Sequence, residues 1–252
     1  MQYDVLREFA CRDFSEPVRM NAYVSYDRDR AEWDETYRKG TFNFHSALRD
    51  LGYKVIVKEI QWFTDENGNR YGKANADLDL AVDALLQSAN LDRILLASGD
   101  GDFVQVVRAL QDKGLRVEVM ALDNVSSKLR HEADFYISGY SIPNLIPTAV
   151  HGSETATWGE LGSRVRGWCY WHSEQGYGFM RIIKSVGPGL WLTDTRHPES
   201  PYITAFFHDS NLPDSVRPNS LPSRNYIFEM DLQPSERGQG YQALNIELTS
   251  KY

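Results

Sequence analysis

The sequence predicts an α/β domain followed by a smaller all-β barrel, on three observations. Apolar strand-like runs alternate with amphipathic stretches up to about Tyr140. A segment rich in Pro, Gly, Ser and Thr then intervenes, opening at Ser138-Gly139-Tyr140-Ser141-Ile142-Pro143 and running to Gly159. Beyond it, short aromatic runs are broken by Gly, Pro, Asn and Asp, the pattern of short strands and turns. The boundaries that follow are 1–140 for the α/β domain, 141–160 for a linker and 161–252 for the β domain.

In the first domain Ala22–Tyr26, Tyr53–Ile60, Arg93–Ala97, Leu115–Ala121 and Phe135–Ile137 read as strands. Between them Trp33–Leu51, Asn75–Ala89, Phe103–Lys113 and Ser126–Ala133 carry helical spacing, with Leu78, Ala81, Val82, Leu85 and Ala89 on one face. Strands that alternate with helices imply a mostly parallel sheet with right-handed crossovers. Ile94-Leu95-Leu96-Ala97 is apolar on both faces, as a central buried strand should be.

Composition narrows the class. The 252 residues carry 27 Lys+Arg against 35 Asp+Glu, a net charge of −8, and 42% hydrophobic content excludes global disorder. No apolar run approaches the ~18 residues of a membrane span, and no basic, apolar leader opens the chain, so no membrane partner is expected. Cys11 and Cys169 lie too far apart for a disulfide framework or a zinc spacing, which predicts a cytoplasmic protein. The acid excess argues at first against a nucleic-acid partner. It is uneven, however: residues 1–150 are net −6 and residues 151–252 net −2.

The predicted topology explains where the acids go. Helix N-termini and strand C-termini share the edge at which open α/β sheets bind ligands. Asp100 and Asp102, in Ser98-Gly99-Asp100-Gly101-Asp102-Phe103, follow a strand, and Asp77 falls in the first turn of a helix. Asp27 and Asp123 end two further strands and are auxiliary candidates, whereas Asp79 and Asp83 point to other sides of the Asp77 helix. Crowded carboxylates repel unless a cation neutralises them, and hard oxygen donors suit Mg²⁺ or Mn²⁺. Such a metal activates water and stabilises phosphodiester displacement. Plainer roles compete: Asp77 as a helix-dipole partner, Asp100 and Asp102 as turn formers and a cap. An EF-hand is excluded, because Gln105 and Gln111 stand where its Gly and Glu belong. No Gly-rich phosphate loop is present, which ranks a nucleotide-binding protein or phosphatase low.

The run Lys73-Ala74-Asn75-Ala76-Asp77, then Leu80–Leu85, then Leu95–Phe103, continued by Gly114–Val119 and Leu129–Asp134, resembles the NYN domain of the LabA-like family over about residues 1–140. That resemblance implies a PIN-like, metal-dependent ribonuclease fold. Asp77, Asp100 and Asp102 match three of its four acids and become the implied catalytic and metal-binding residues, with Lys73 and Ser98 as auxiliaries. The family opens with an apolar strand that ends in a fourth Asp. Met1–Ala10 matches instead the helix after that strand, and Ala22–Tyr26 the family's second strand. Loss of a central strand should expose the flanking strand edges. The natural chain is therefore expected to begin upstream of Met1, or the domain to be impaired.

In the β domain Arg166–Met180 resembles the opening of a cold-shock domain, Ala205-Phe206-Phe207-His208 its second binding strand, and Phe228–Met230 with Arg237–Ile246 its closing strands. The fold implied is a five-stranded OB barrel. Strand alternation puts Tyr177 and Phe179 on one face and Phe206 and His208 on one face, and Tyr170 stands at a family tryptophan. Exposed aromatics there would stack unpaired bases, so these five are the candidate RNA-binding residues. Phe207 and Trp171 read as core. Cys169 and Gln175 replace family lysines, Asp209 replaces an aromatic, and Val186–Pro201 is an insertion. With few cations to neutralise phosphates, attraction to a backbone should be slight.

Together these readings predict a metal-dependent ribonuclease using Mg²⁺ or Mn²⁺ and presented with single-stranded RNA by the barrel. The alternative is a non-catalytic adaptor that binds RNA, a protein or a second copy of itself.

Overall fold

The computed structural model of the protein describes residues 1–149, 156–235 and 240–252. Its α/β region runs α1 (Tyr3–Ala10), β1 (Asn21–Tyr26), α2 (Arg28–Trp33), α3 (Glu35–Asp50), β2 (Lys54–Glu59), β3 (Gln61–Thr64), β4 (Arg70–Lys73), α4 (Ala76–Gln87), β5 (Arg93–Ala97), α5 (Val104–Asp112), β6 (Arg116–Ala121), α6 (Ser127–Glu132) and β7 (Phe135–Ser138). Five longer strands follow: β8 (Arg164–Ser173), β9 (Tyr177–Ile183), β10 (Tyr202–His208), β11 (Ser223–Pro234) and β12 (Tyr241–Lys251). By packing, the chain falls into two compact units. One comprises Met1–Ser15, Leu95–Asp102 and Val117–Tyr252; the other comprises Glu16–Ile94 and Phe103–Arg116.

Strands β1, β2, β5, β6 and β7 lie where the hydrophobic pattern predicts, but they do not form one sheet. β1 and β2 pair in parallel from Asn21↔Lys54 to Tyr26↔Glu59, while β5, β6 and β7 form a separate three-stranded sheet with β6 and β7 parallel. Among the described residues no strand pairs with the second edge of β1 or of β5. The single sheet expected from the alternation of strands and helices is thus corrected to two separate sheets.

Within the unit 16–94 and 103–116, the expected helix Trp33–Leu51 is two helices. Asp34 adopts an extended conformation and its carboxylate accepts from the Tyr37 N–H at 2.9 Å, capping α3, as Asp27 caps α2 by accepting from the Arg30 N–H at 3.1 Å. β3 and β4 form a hairpin closed by Asp65, which accepts from the Asn67 and Asn69 N–H groups. Both its strands are exposed, so no burial pattern marks it in the sequence. The apolar stripe of α4 is corrected too. α4 packs on β1 and α5, yet Leu78 is 66% exposed and the helix holds no buried residue.

The other unit contains two cores. Strands β8–β12 close into a barrel in the order β10-β12-β11-β8-β9, lined by Val165, Cys169, Met180, Phe207, Phe228 and Met230 among others. A second core lies outside the barrel wall, where Leu6 and Phe9 of α1, Met120, Ile137, Ile142 and Leu145 pack with Trp168, Ile183, Leu190 and Tyr202. Much of the segment predicted as linker is therefore packed chain. Arg166 donates to the carbonyls of Ile146 and Pro147, and Glu229 accepts from the Ala149 N–H. Residues 150–155 of that segment, and Arg237–Gln239 of the closing-strand motif, lie outside the described residues.

Candidate functional site

The loop after β5 is built to hold two carboxylates outward. Ser98 Oγ accepts from the Asp100 N–H at 3.2 Å, and Asp100 Oδ1 accepts from the Asp102 N–H at 2.9 Å, two successive side-chain turns that fix the backbone. Its glycines allow the close approach of a neighbouring loop. The Ser126 N–H donates to the Gly99 carbonyl at 2.8 Å, and a Cβ on Gly99 would stand 3.1 Å from the Val125 Cα. On Gly101 it would meet Ser126 Oγ at 2.7 Å. Asp100 and Asp102 themselves are exposed. Turn former and candidate ligand are compatible roles here, because Oδ2 of Asp100 is not used in the turn.

Asp77 lies in the first turn of α4, exposed, behind Asn75 in the left-handed conformation at φ 42°. Lys73 closes β4 opposite Gln61 and is exposed. Among the described residues no group of three or more His, Cys, Asp or Glu side chains is placed to hold a metal ion. The two auxiliary acids have structural work. Asp27 Oδ1 caps α2 and accepts from the Trp62 indole at 3.3 Å. Asp123 accepts from the Tyr140 hydroxyl at 2.7 Å through Oδ2 and from Ser250 Oγ at 2.9 Å through Oδ1. Both of its oxygens are thus engaged in joining the loop after β6 to Tyr140 and β12.

The barrel face is a real aromatic cluster, with one substitution in its membership. Tyr177 and Phe206 have ring centroids 5.8 Å apart, and Phe179 and Phe206 5.9 Å in an edge-to-face arrangement. Trp171 joins them, 5.6 Å from Tyr177 and 5.7 Å from Phe179, and is 42% exposed. His208 pairs in register with Tyr177 at the end of the same face, exposed, with Nδ1 2.9 Å from Ser210 Oγ. Phe207 is fully buried, as its place in the alternation requires.

Trp171 and Tyr170 exchange the roles that strict alternation assigns them. β8 and β9 pair Cys169 with Met180 but Trp171 with Phe179, so two residues of β8 stand against one step of β9. This bulge at Tyr170 inserts one residue and turns the following side chains over. Cys169 stays in the barrel core while Trp171 emerges among the surface rings. Tyr170 lies instead under Arg181, whose guanidinium carbon is 4.1 Å from its ring centroid, against the second core. The bulge leaves no mark in the sequence.

Beneath the barrel wall lies a buried charged network. Arg164 Nε and Arg166 Nε each donate to Glu229 at 2.7 Å, and Arg164 also reaches Asp231 at 3.0 Å. Every charge there is countered by another of the network, so it binds the fold together rather than a ligand.

An α/β region of parallel strands is consistent with the PIN-like superfamily, to which NYN domains belong and whose members are generally metal-dependent nucleases that bind RNA. The family model of the NYN domain matches residues 1–143, more than half of the protein, and the chain belongs to the NYN-domain family. It is 38% identical over 106 residues to "Low amplitude and bright protein LabA" of Synechococcus elongatus, covering 41% of this chain and 57% of that protein. The chain thus spans less than two thirds of that relative's length. A Vibrio parahaemolyticus protein of unknown function is similar in structure with a TM-score of 0.44 at 27% identity, over 54% of this chain and 77% of that one. Among the described residues no helix is long and apolar enough to cross a membrane.

Proposed function

We propose that the protein is a Mg²⁺- or Mn²⁺-dependent ribonuclease of the NYN type whose β barrel, an OB fold of cold-shock type, holds single-stranded RNA. The observation that carries the catalytic half is the Asp100–Asp102 turn, two exposed carboxylates on a backbone fixed by its own side chains at the end of β5. The donor set fits the metal: Mg²⁺ is commonly held by one or two carboxylates, its remaining positions filled by water and substrate phosphate. Asp77 is assigned as a third ligand on sequence resemblance alone. When bound, the ion supplies an activated water and stabilises the charge of an in-line displacement. Asp100 and Asp102 would orient it, and the Gly99 and Gly101 approach would keep their loop from yielding.

The observation that supports the RNA half is the surface cluster of exposed Trp171 with half-buried Tyr177, Phe179 and Phe206, and His208 beside it. Ring faces of this kind stack unpaired bases without regard to sequence. A closed five-stranded barrel with its aromatics on β8–β10 is consistent with an OB platform.

A second reading, a non-catalytic RNA- or protein-binding adaptor, rests on the aromatic cluster, which would bind without any cleavage. A cleavage assay separates the two. The catalytic reading expects Mn²⁺-dependent cleavage of single-stranded RNA that disappears with chelator and in Asp100→Asn. RNA binding without cleavage, unchanged by chelator, favours the adaptor.

A further inference from the structure

The barrel's outer wall continues past the aromatic cluster into a group of hydrogen-bond donors that have no acceptors. Arg181 follows Phe179 by two residues on β9, so both side chains project from the same face, about 7 Å apart along the strand. It pairs in register with Trp168 of β8 and Thr204 of β10. Arg181 Nε is buried without a hydrogen-bond partner, and so is the Trp168 Nε1, on a side chain only 8% exposed. Arg224, exposed at the start of β11, lies over the Trp168 ring at 5.8 Å.

These groups are cationic or donor-only, and none accepts. The guanidinium carbon of Arg181 lies over the Tyr170 ring, 4.1 Å from its centroid, with the Tyr202 centroid at 5.9 Å. Contact with ring faces does not satisfy guanidinium N–H groups, which still seek an acceptor. Among the described residues neither arginine has an ion pair or hydrogen bond from its side chain. Asp194, which acts on Arg181 electrostatically, is itself held by Arg196 at 2.7 Å. Two like charges beside an unsatisfied indole N–H are costly unless an anion completes the group. A planar guanidinium matches a phosphate in two-point geometry.

We propose that Arg181, Arg224 and the Trp168 indole N–H bind a backbone phosphate of the single strand whose bases stack on Trp171, Tyr177, Phe179 and Phe206. The inference rests on the RNA reading of the barrel and supplies what that reading lacked, a cation beside the rings. It also sets a direction, with bases over the rows nearest His208 and the backbone leaving toward Trp168.

The test is a titration of the whole chain with oligouridylate of about eight nucleotides, followed by Trp and Tyr emission at several salt concentrations, for the native protein, Arg224→Gln and Arg181→Gln. Because Arg224 is exposed, its variant retains the fold, which circular dichroism verifies; Arg181→Gln supplies the second, buried position. The expectation is a loss of affinity of roughly tenfold at low salt in each variant. The slope of log K against log salt should also be shallower by about 0.7, with the emission change at saturation preserved. An oligonucleotide with a neutral methylphosphonate backbone should bind native protein and both variants alike. If native protein binds oligouridylate and both variants match it in affinity and slope, the phosphate site is overturned while the stacking platform stands. Equal weakening toward charged and neutral backbones overturns it too, since the arginines would then act on the fold. If native protein leaves its emission unchanged with oligouridylate, the RNA reading falls and takes the phosphate site with it.

Discussion

The Tyr140 hydroxyl donates a 2.7 Å hydrogen bond to Oδ2 of Asp123, and this contact decides when Tyr140 ionises. The bond to Asp123, with burial second, pushes the Tyr140 phenol up to about 12. A raised folded value means that the bond's contribution to stability is fully present below the unfolded pKa, about 10, and is lost as pH rises through about 12. Asp123→Ala should return one tyrosine of the folded protein to ionisation near pH ~10, read as tyrosinate absorbance in a pH titration. Superimposable titrations of the two proteins would show that Asp123 does not govern Tyr140.

Glu229 carries a heavier share of the fold. Its Oε1 accepts from Arg164 Nε and the Ala149 N–H, and its Oε2 from Arg166, and the Glu229, Arg164 and Arg166 side chains are almost wholly out of water. Glu229→Gln keeps the volume but removes the charge, leaving Arg166 without the carboxylate that neutralises it. Breaking a buried pair from one side costs about 3–5 kcal/mol. Since Arg164 retains Asp231 at 3.0 Å, the lower end is expected. Denaturant unfolding should register that loss, and a change under about 0.5 kcal/mol, the range of ordinary surface substitutions, would mean that the network is not energetically connected.

Much of this architecture is legible in the sequence because it depends on local pattern. The strand Arg93–Ala97 is apolar throughout and lies where its pattern predicts, and the glycines of Ser98–Asp102 mark a loop that another backbone approaches closely. Pairing decisions are not local. Whether the Ala22–Tyr26 and Arg93–Ala97 strands share a sheet is written in neither strand alone, and the stripe on α4 reports a face without reporting what covers it. A bulge at Tyr170 is invisible because it is a property of two strands in register, not of one. It misassigned Tyr170 and Trp171 together, as any one-residue slip must. Arg181 is legible in the sequence, since it alternates with Tyr177 and Phe179 along one strand.

Phe206 and Phe207 are neighbours with opposite duties, which allows a clean separation of binding from folding. Phe207 is fully buried in the barrel, and Phe207→Ala should cost about 3–5 kcal/mol of stability. Phe206 lies among the surface rings, and Phe206→Ala should weaken oligouridylate binding by about 1–3 kcal/mol with a much smaller effect on unfolding. Trp171→Ala should behave as Phe206→Ala does, against the expectation from alternation. Unfolding and fluorescence titration on the same three variants check all of this. Loss of stability in Trp171→Ala as large as in Phe207→Ala would return Trp171 to the core.

The two cysteines should differ sharply in reactivity. Cys169 is fully buried in the barrel core, and burial pushes its thiol up to about 12. Only the thiolate attacks electrophiles, so at neutral pH both access and ionisation protect it. Cys11 follows α1 and is partly exposed. Iodoacetamide at neutral pH should therefore modify one thiol of the native protein promptly, and the second only at the rate at which the barrel opens. Raising the pH toward 10 should leave the second reaction nearly unchanged, because the folded Cys169 value lies well above that range. Denaturant should make the two equal. Prompt modification at Cys169, located by peptide mapping, would mean that the barrel opens readily between β8 and its neighbours.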